Sequence, residues 1–194
     1  MTPTILLGSG RYFNLLNHRA EDVHIFDIAA ALSKLCRFTG HVREFYSVAQ
    51  HSYLASYLVP PDYALQALLH DAAEAYIGDV ASPLKRLLPD YREIEQRVEA
   101  VVFERFHLPA VLHESVKHAD LVMLATEQRD LMPDHDDEWA ILRGITPLDG
   151  PLAPRIPDVA ERIFMQRFIH LTGAGSALHT SLTHYPIQTE TPSC

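Results

Sequence analysis

An all-α fold, a single helical bundle, is predicted from three features of the 194-residue chain. Apolar residues recur at three- and four-residue spacing in several separate stretches, the period of helices packed against a core. Capping residues precede these stretches, and Pro or Gly follows them. No alternating run suggests a strand ladder, and no internal repeat divides the sequence.

Residues 1–26 show no clean period, and Gly8-Ser9-Gly10 suggests an irregular arm or a small hairpin. The bundle is expected over 27–172. Asp27 is a good N-cap for a first helix, IAAALSKLCRF, with Gly40 at its C-terminal turn. Ser47 caps a second, VAQHSYLASYLV, which Pro60-Pro61 stops. Asp62 opens a third, YALQALLHDAAEAYI, ending at Gly78. DVASPLKRLLP reads as a loop with a short helix. From Asp90 to His107 the pattern is amphipathic, with Ile94, Val98, Val101, Val102 and Phe106 on the apolar side. A long helix follows Pro109 and runs to Met132. The Pro-, Gly- and acid-rich stretch from Asp134 to Pro157 reads as a loop, and a last helix spans Asp158 to Leu171. Residues 173–194, rich in Ser, Thr and Gly, are expected to form a flexible tail.

The 47 % hydrophobic content suits a globular domain, and no apolar run approaches the roughly 18 residues of a membrane span. The N-terminus does not read as a signal peptide. Cys36, within the first helical pattern, and Cys194 make no disulfide framework, so a reducing cytoplasm is the expected setting. A formal net charge of −9 argues against a nucleic-acid polymer as partner. A small anionic substrate remains compatible if a metal and a few local cations hold it.

Five residues carry chemistry: His51, the adjacent pair His70-Asp71, Glu74 and Asp120. On a helix, His70 and Glu74 are four apart and Asp71 and Glu74 three apart, so all can share one edge. That edge follows an apolar run, where neighbouring carboxylates would repel and lose hydration unless a cation joined them. Taken alone, His70 reads better as a satisfied core histidine, with the acids on a solvated face. His51 and Asp120 also fall among apolar helix positions, where a hydrogen bond or an ion pair is the other explanation for each. One shared divalent cation accounts for all of them. An imidazole/carboxylate shell suits Mn²⁺, Co²⁺, Ni²⁺, Fe²⁺, Zn²⁺ or Mg²⁺, and the absence of a thiolate cluster argues against structural zinc.

The pattern His51 … His70-Asp71 … Asp120 resembles the HD-domain superfamily of metal-dependent phosphohydrolases. SVAQHSYLA, LLHDAAEAYIGDVASPLK and HADLVMLATE resemble its small nucleotidase branch, which includes bacterial 5′-deoxynucleotidases and phage dATP triphosphohydrolases. The likeness covers about residues 25–132. It implies metal ligation by His51, His70, Asp71 and Asp120, with Glu74 as general base and Asp79 as the assisting acid. It also implies phosphate contacts from Arg37 and Lys85, and a nucleoside contact from Phe38. Without the resemblance, Arg37 reads as a helix-terminal cation, Lys85 as a surface lysine and Phe38 as a core ring. Two positions depart from the pattern: Gln50 stands where relatives often have Glu, and Phe38 where Trp is usual.

The resulting expectation is a metal-dependent enzyme that hydrolyses a deoxynucleoside 5′-monophosphate to nucleoside and phosphate. The alternatives are release of triphosphate from dATP and a non-catalytic nucleotide-sensing module. The resemblance further implies a homo-oligomer.

Overall fold

Helices carry the architecture in the computed structural model, which describes residues 2–174 and contains one short hairpin besides. All but the first two residues of the expected tail lie outside the described residues.

The N-terminal arm is the hairpin, β1 (Thr4–Leu6) paired antiparallel with β2 (Tyr12–Asn14). Three residues per strand are too few for a period of two to stand out in sequence. Packing fixes the register: Phe13 is fully buried and its ring lies 4.1 Å from that of Tyr76.

The first helix, α1 (Ile25–Leu32), is shorter than expected and starts earlier. Asp27 is not its N-cap; it lies in the first turn, where its carboxylate accepts from Ser9 N–H at 3.0 Å and Ser9 Oγ–H at 2.9 Å. Nor does α1 reach Gly40. Cys36 lies outside it and forms an isolated antiparallel bridge with Ser47. Arg37 N–H donates to Tyr46 O and Val48 N–H to Leu35 O, so pairing between two linker segments replaces helical bonds. Between these pairs, residues 37–40 make a tight turn in which Phe38 and Thr39 both have positive φ, 54° and 55°.

Next comes α2 (Val48–Ala55), where Ser47 Oγ accepts from Gln50 N–H as the sequence implied. The expected third helix is two, α3 (Ala64–Leu69) and α4 (Glu74–Ile77), with Gly78 at φ 82° turning the chain away. Then follow α5 (Ser82–Lys85), α6 (Pro89–Arg105), α7 (Glu114–Leu131) and α8 (Pro157–Thr172).

α8 packs across α1, α2 and α3, with Ala160 and Phe164 fully buried. α7 lies against α2 and α3, and α4 sits between α1 and α6. Gln66 on α3 donates to Pro109 O and Val111 O and accepts from His113 N–H, which fixes where α7 begins. The long connection before α8 is tied down at its far end: Thr126 Oγ1 accepts from Leu148 N–H, and Asp130 from Leu152 N–H. No described helix is long and apolar enough to cross a membrane.

Candidate metal centre

His51 on α2 and His70 at the end of α3 are both buried, and their Nε2 atoms lie 3.3 Å apart. Asp120 on α7 brings Oδ1 to 3.3 Å from His51 Nε2 and 3.9 Å from His70 Nε2. Asp71 Oδ2 is 3.2 Å from His70 Nε2 and 3.6 Å from His51 Nε2. Donors about 2.1 Å from one ion stand roughly 3.0–3.4 Å apart at octahedral to tetrahedral angles. His51, His70 and Asp120 therefore fit a divalent metal, and the Asp71 oxygen borders the same space. Asp120 is the open side of the cluster, its side chain 42 % exposed.

The ring orientations follow from hydrogen-bond bookkeeping. His51 Nδ1 is 2.7 Å from Glu127 Oε1, and His70 Nδ1 is 2.7 Å from Ala67 O. A carboxylate and a carbonyl only accept, so both Nδ1 atoms carry protons and donate. In the neutral rings both Nε2 lone pairs then face the space between the carboxylates, the arrangement typical of metal-bound imidazoles. Burial and Arg37 oppose protonation of His51, but Glu127 and Asp120 outweigh them and push it up to about 9. Burial likewise opposes His70, while Asp71 and Asp120 raise it. Burial opposes the Asp71 carboxylate too, but His70, His51 and Arg37 hold it below the usual range. The field at the centre thus favours positive charge, which is what a divalent cation brings.

Local backbone explains how His70 and Asp71 reach one point. His70 Nδ1 takes the Ala67 carbonyl, the acceptor that Asp71 N–H would use in an unbroken α-helix. Ala72, Glu74, Ala75 and Tyr76 then donate to carbonyls three residues back. This tighter winding aligns positions three apart, bringing Asp71 and Glu74 to one side. The break in the expected third helix is thus centred on the His-Asp pair.

Glu74 is buried, and its Oε2 has no hydrogen-bond partner among the described residues. Burial, then Asp71 and Asp79, push its carboxyl well above the usual range, against the pull of Arg37 and Lys85. Burial also raises Asp79. Tyr91 on α6 donates to Gly78 O at 3.0 Å and so anchors the turn that carries Asp79.

Arg37 leaves the 36–47 bridge directly beside the cluster. Its Nε donates to Glu127 Oε2 at 2.9 Å, and its Nη1 lies 3.5 Å from Asp71 Oδ2. Lys85 is less free than a phosphate ligand requires, because its Nζ donates to Glu95 Oε1 at 2.6 Å. Phe38 faces Trp139, ring centroids 6.4 Å apart, at the edge of a cleft of about 330 Å³ that Trp139 lines with Gln128 and Arg143. That cleft lies along α7 and the 137–147 loop, not at the histidines. Gln50, which departs from the resembled pattern, donates to Ala153 O and accepts from Arg155 N–H. An amide can do both; a glutamate could not.

Sequence reasoning missed Glu127. The available signal was its place seven residues after Asp120, two helical turns along one face of α7.

No family model matches the chain. It is 48 % identical over 165 residues to the uncharacterized protein YfdR of Escherichia coli (strain K12), covering 84 % of this chain and 93 % of that protein. It is also 39 % identical over 121 residues to an uncharacterized protein of Rhodobacter capsulatus, covering 57 % of this chain and 62 % of that one.

Proposed function

The chain belongs to the family of the Escherichia coli protein YfdR, and from its site we propose a divalent-metal-dependent phosphohydrolase acting on the 5′ phosphate of a deoxynucleotide. The observation that carries this reading is the pair of Nε2 atoms 3.3 Å apart, both Nδ1 positions committed elsewhere, with Asp71 and Asp120 alongside. His51, His70, Asp71 and Asp120 hold the metal. A divalent cation there supplies Lewis acidity toward a phosphate and toward the water that attacks it.

The chain's own groups do the rest. Arg37, with Nε and Nη1 engaged, offers Nη2 to a phosphate oxygen. Lys85 exchanges Glu95 for the phosphate when substrate binds, adding positive charge where the phosphoryl group carries negative charge. Glu74 takes a proton from the attacking water, and Asp79 returns one to the 5′ oxygen as the P–O bond breaks. Burial raises the proton affinity of both carboxyls, which suits one group that accepts a proton and one that returns it. Phe38, with Trp139 beside it, gives the nucleoside an aromatic wall. A monophosphate fits this modest set of cations better than a triphosphate. The net charge of −9 supports a small nucleotide over a polymer, and the sparse cysteines support a cytoplasmic setting. Self-association completes the proposal by the family resemblance alone.

The test is product analysis for deoxynucleoside mono- and triphosphates with Mn²⁺, Co²⁺, Mg²⁺ and Zn²⁺. Phosphate release from a monophosphate, abolished by chelator, is expected. Glu74→Gln should lower kcat by about 10²–10⁴-fold while the protein still binds metal. Free triphosphate from dATP with no phosphate from dAMP would transfer the reading to triphosphate release. Binding without turnover under every metal would sink the enzyme and leave a sensor.

A further inference from the structure

Glu127 is wholly buried, yet neither metal ligation nor proton transfer uses it. A buried carboxylate is costly unless its oxygens are well matched, and these are. Oε1 accepts from His51 Nδ1 at 2.7 Å, and Oε2 accepts from Arg37 Nε at 2.9 Å. Arg37 in turn reaches Asp71 Oδ2 at 3.5 Å. One side chain on α7 therefore touches a donor ring on α2 and the guanidinium from the 36–47 bridge, seven residues from Asp120 on its own helix.

We infer that Glu127 is a positioning residue that presents His51 Nε2 to the metal and, with the same carboxylate, sets Arg37 for an anion beside it. The Arg37 half rests on the phosphohydrolase reading, whereas the His51 half needs only the metal site. The alternative, that Glu127 merely neutralises a buried arginine, makes a different demand. Neutralisation needs charge. Positioning needs two acceptor atoms facing two donors.

The readout on a glutamine variant separates the two: loss of charge alone lowers stability, whereas loss of positioning changes the ligand field at His51. Glutamine keeps shape but offers one acceptor and one donor. If its oxygen faces His51, its amide opposes the Arg37 N–H. If it turns over, its N–H₂ faces His51 Nδ1 and selects the tautomer protonated at Nε2, which blocks ligation. Glu127→Gln therefore cannot satisfy both partners.

The experiment uses the full chain and Co²⁺, followed by its visible absorption, with inorganic phosphate then titrated into the Co²⁺-loaded protein. Glu127→Gln should lower Co²⁺ affinity by about 10- to 100-fold, alter the absorption band and weaken phosphate binding. Co²⁺ affinity within about threefold of the parent, with an unchanged band, would overturn the inference; unchanged phosphate binding would overturn its Arg37 half. Should the variant not fold, the unsubstituted chain loaded with Zn²⁺ still decides. Its histidine ¹H–¹⁵N spectrum should show His51 protonated at Nδ1, and protonation at Nε2 would count against the assignment. None of these readouts requires turnover. A protein that hydrolyses no nucleotide but passes them fails as a phosphohydrolase and still retains Glu127 in this role.

Discussion

At the scale of single residues, the site is set by which atoms are already engaged. His51 and His70 each give Nδ1 to an acceptor, and that leaves the two Nε2 atoms for a cation. The same economy shows in the strained turn that delivers Arg37. Thr39, exposed and β-branched, holds φ at 55°, a conformation costing an L-residue about 1–2 kcal/mol. Asn tolerates that region better. Thr39→Asn should stabilise the protein by up to about 1 kcal/mol in urea unfolding, with metal binding unchanged, whereas destabilisation would mean that the threonine side chain has a contact of its own. The histidines, aspartates and Glu74 were legible because charged or imidazole groups at apolar helix positions need a reason to be there. Glu127 met that criterion as well but lacked a partner in sequence. Its two partners lie 76 and 90 residues away.

At the scale of elements, caps were readable where the signal was local. Ser47 Oγ accepts Gln50 N–H, one turn before His51. Ser47→Ala should cost about 1 kcal/mol of stability by urea unfolding and, because α2 carries His51, should also weaken metal binding. An unaffected metal affinity would show that the packing of α8 on α2 holds the ring without the cap. Helix ends that answer to distant partners were not readable. α1 stops at Leu32 because the 35–37 segment pairs with 46–48, and no local breaker announces it. Likewise α3 and α4 look like one helix in sequence, since residues 63–77 keep a single apolar period. They separate because the His70 ring takes a carbonyl that the helix would otherwise use.

At the scale of the whole molecule, the site is a junction. Its donors come from α2, the joint between α3 and α4, and α7, while α8 packs behind α2 and α3. A cation that binds this junction only when folded should stabilise the entire bundle. At a free concentration 100-fold above Kd, the gain is about 2.7 kcal/mol, so thermal unfolding should shift upward by several degrees and return with chelator. Asp120→Asn should reduce that shift, and a melting temperature indifferent to Mn²⁺, Co²⁺ and Zn²⁺ would count against a metal site. By itself the sequence determined the all-α class and most helix positions, because apolar period and caps are local signals, and its misplaced charges pointed to His51, His70 and Asp120, which the fold brings together. The tertiary structure alone decided the N-terminal hairpin, the break at His70 and the Glu127 bridge between His51 and Arg37. The hairpin strands are too short for a period to show, the break at His70 turns on a side chain taking a carbonyl three residues back, and Glu127 meets partners 76 and 90 residues away. None of these leaves an apolar period or a cap in the sequence.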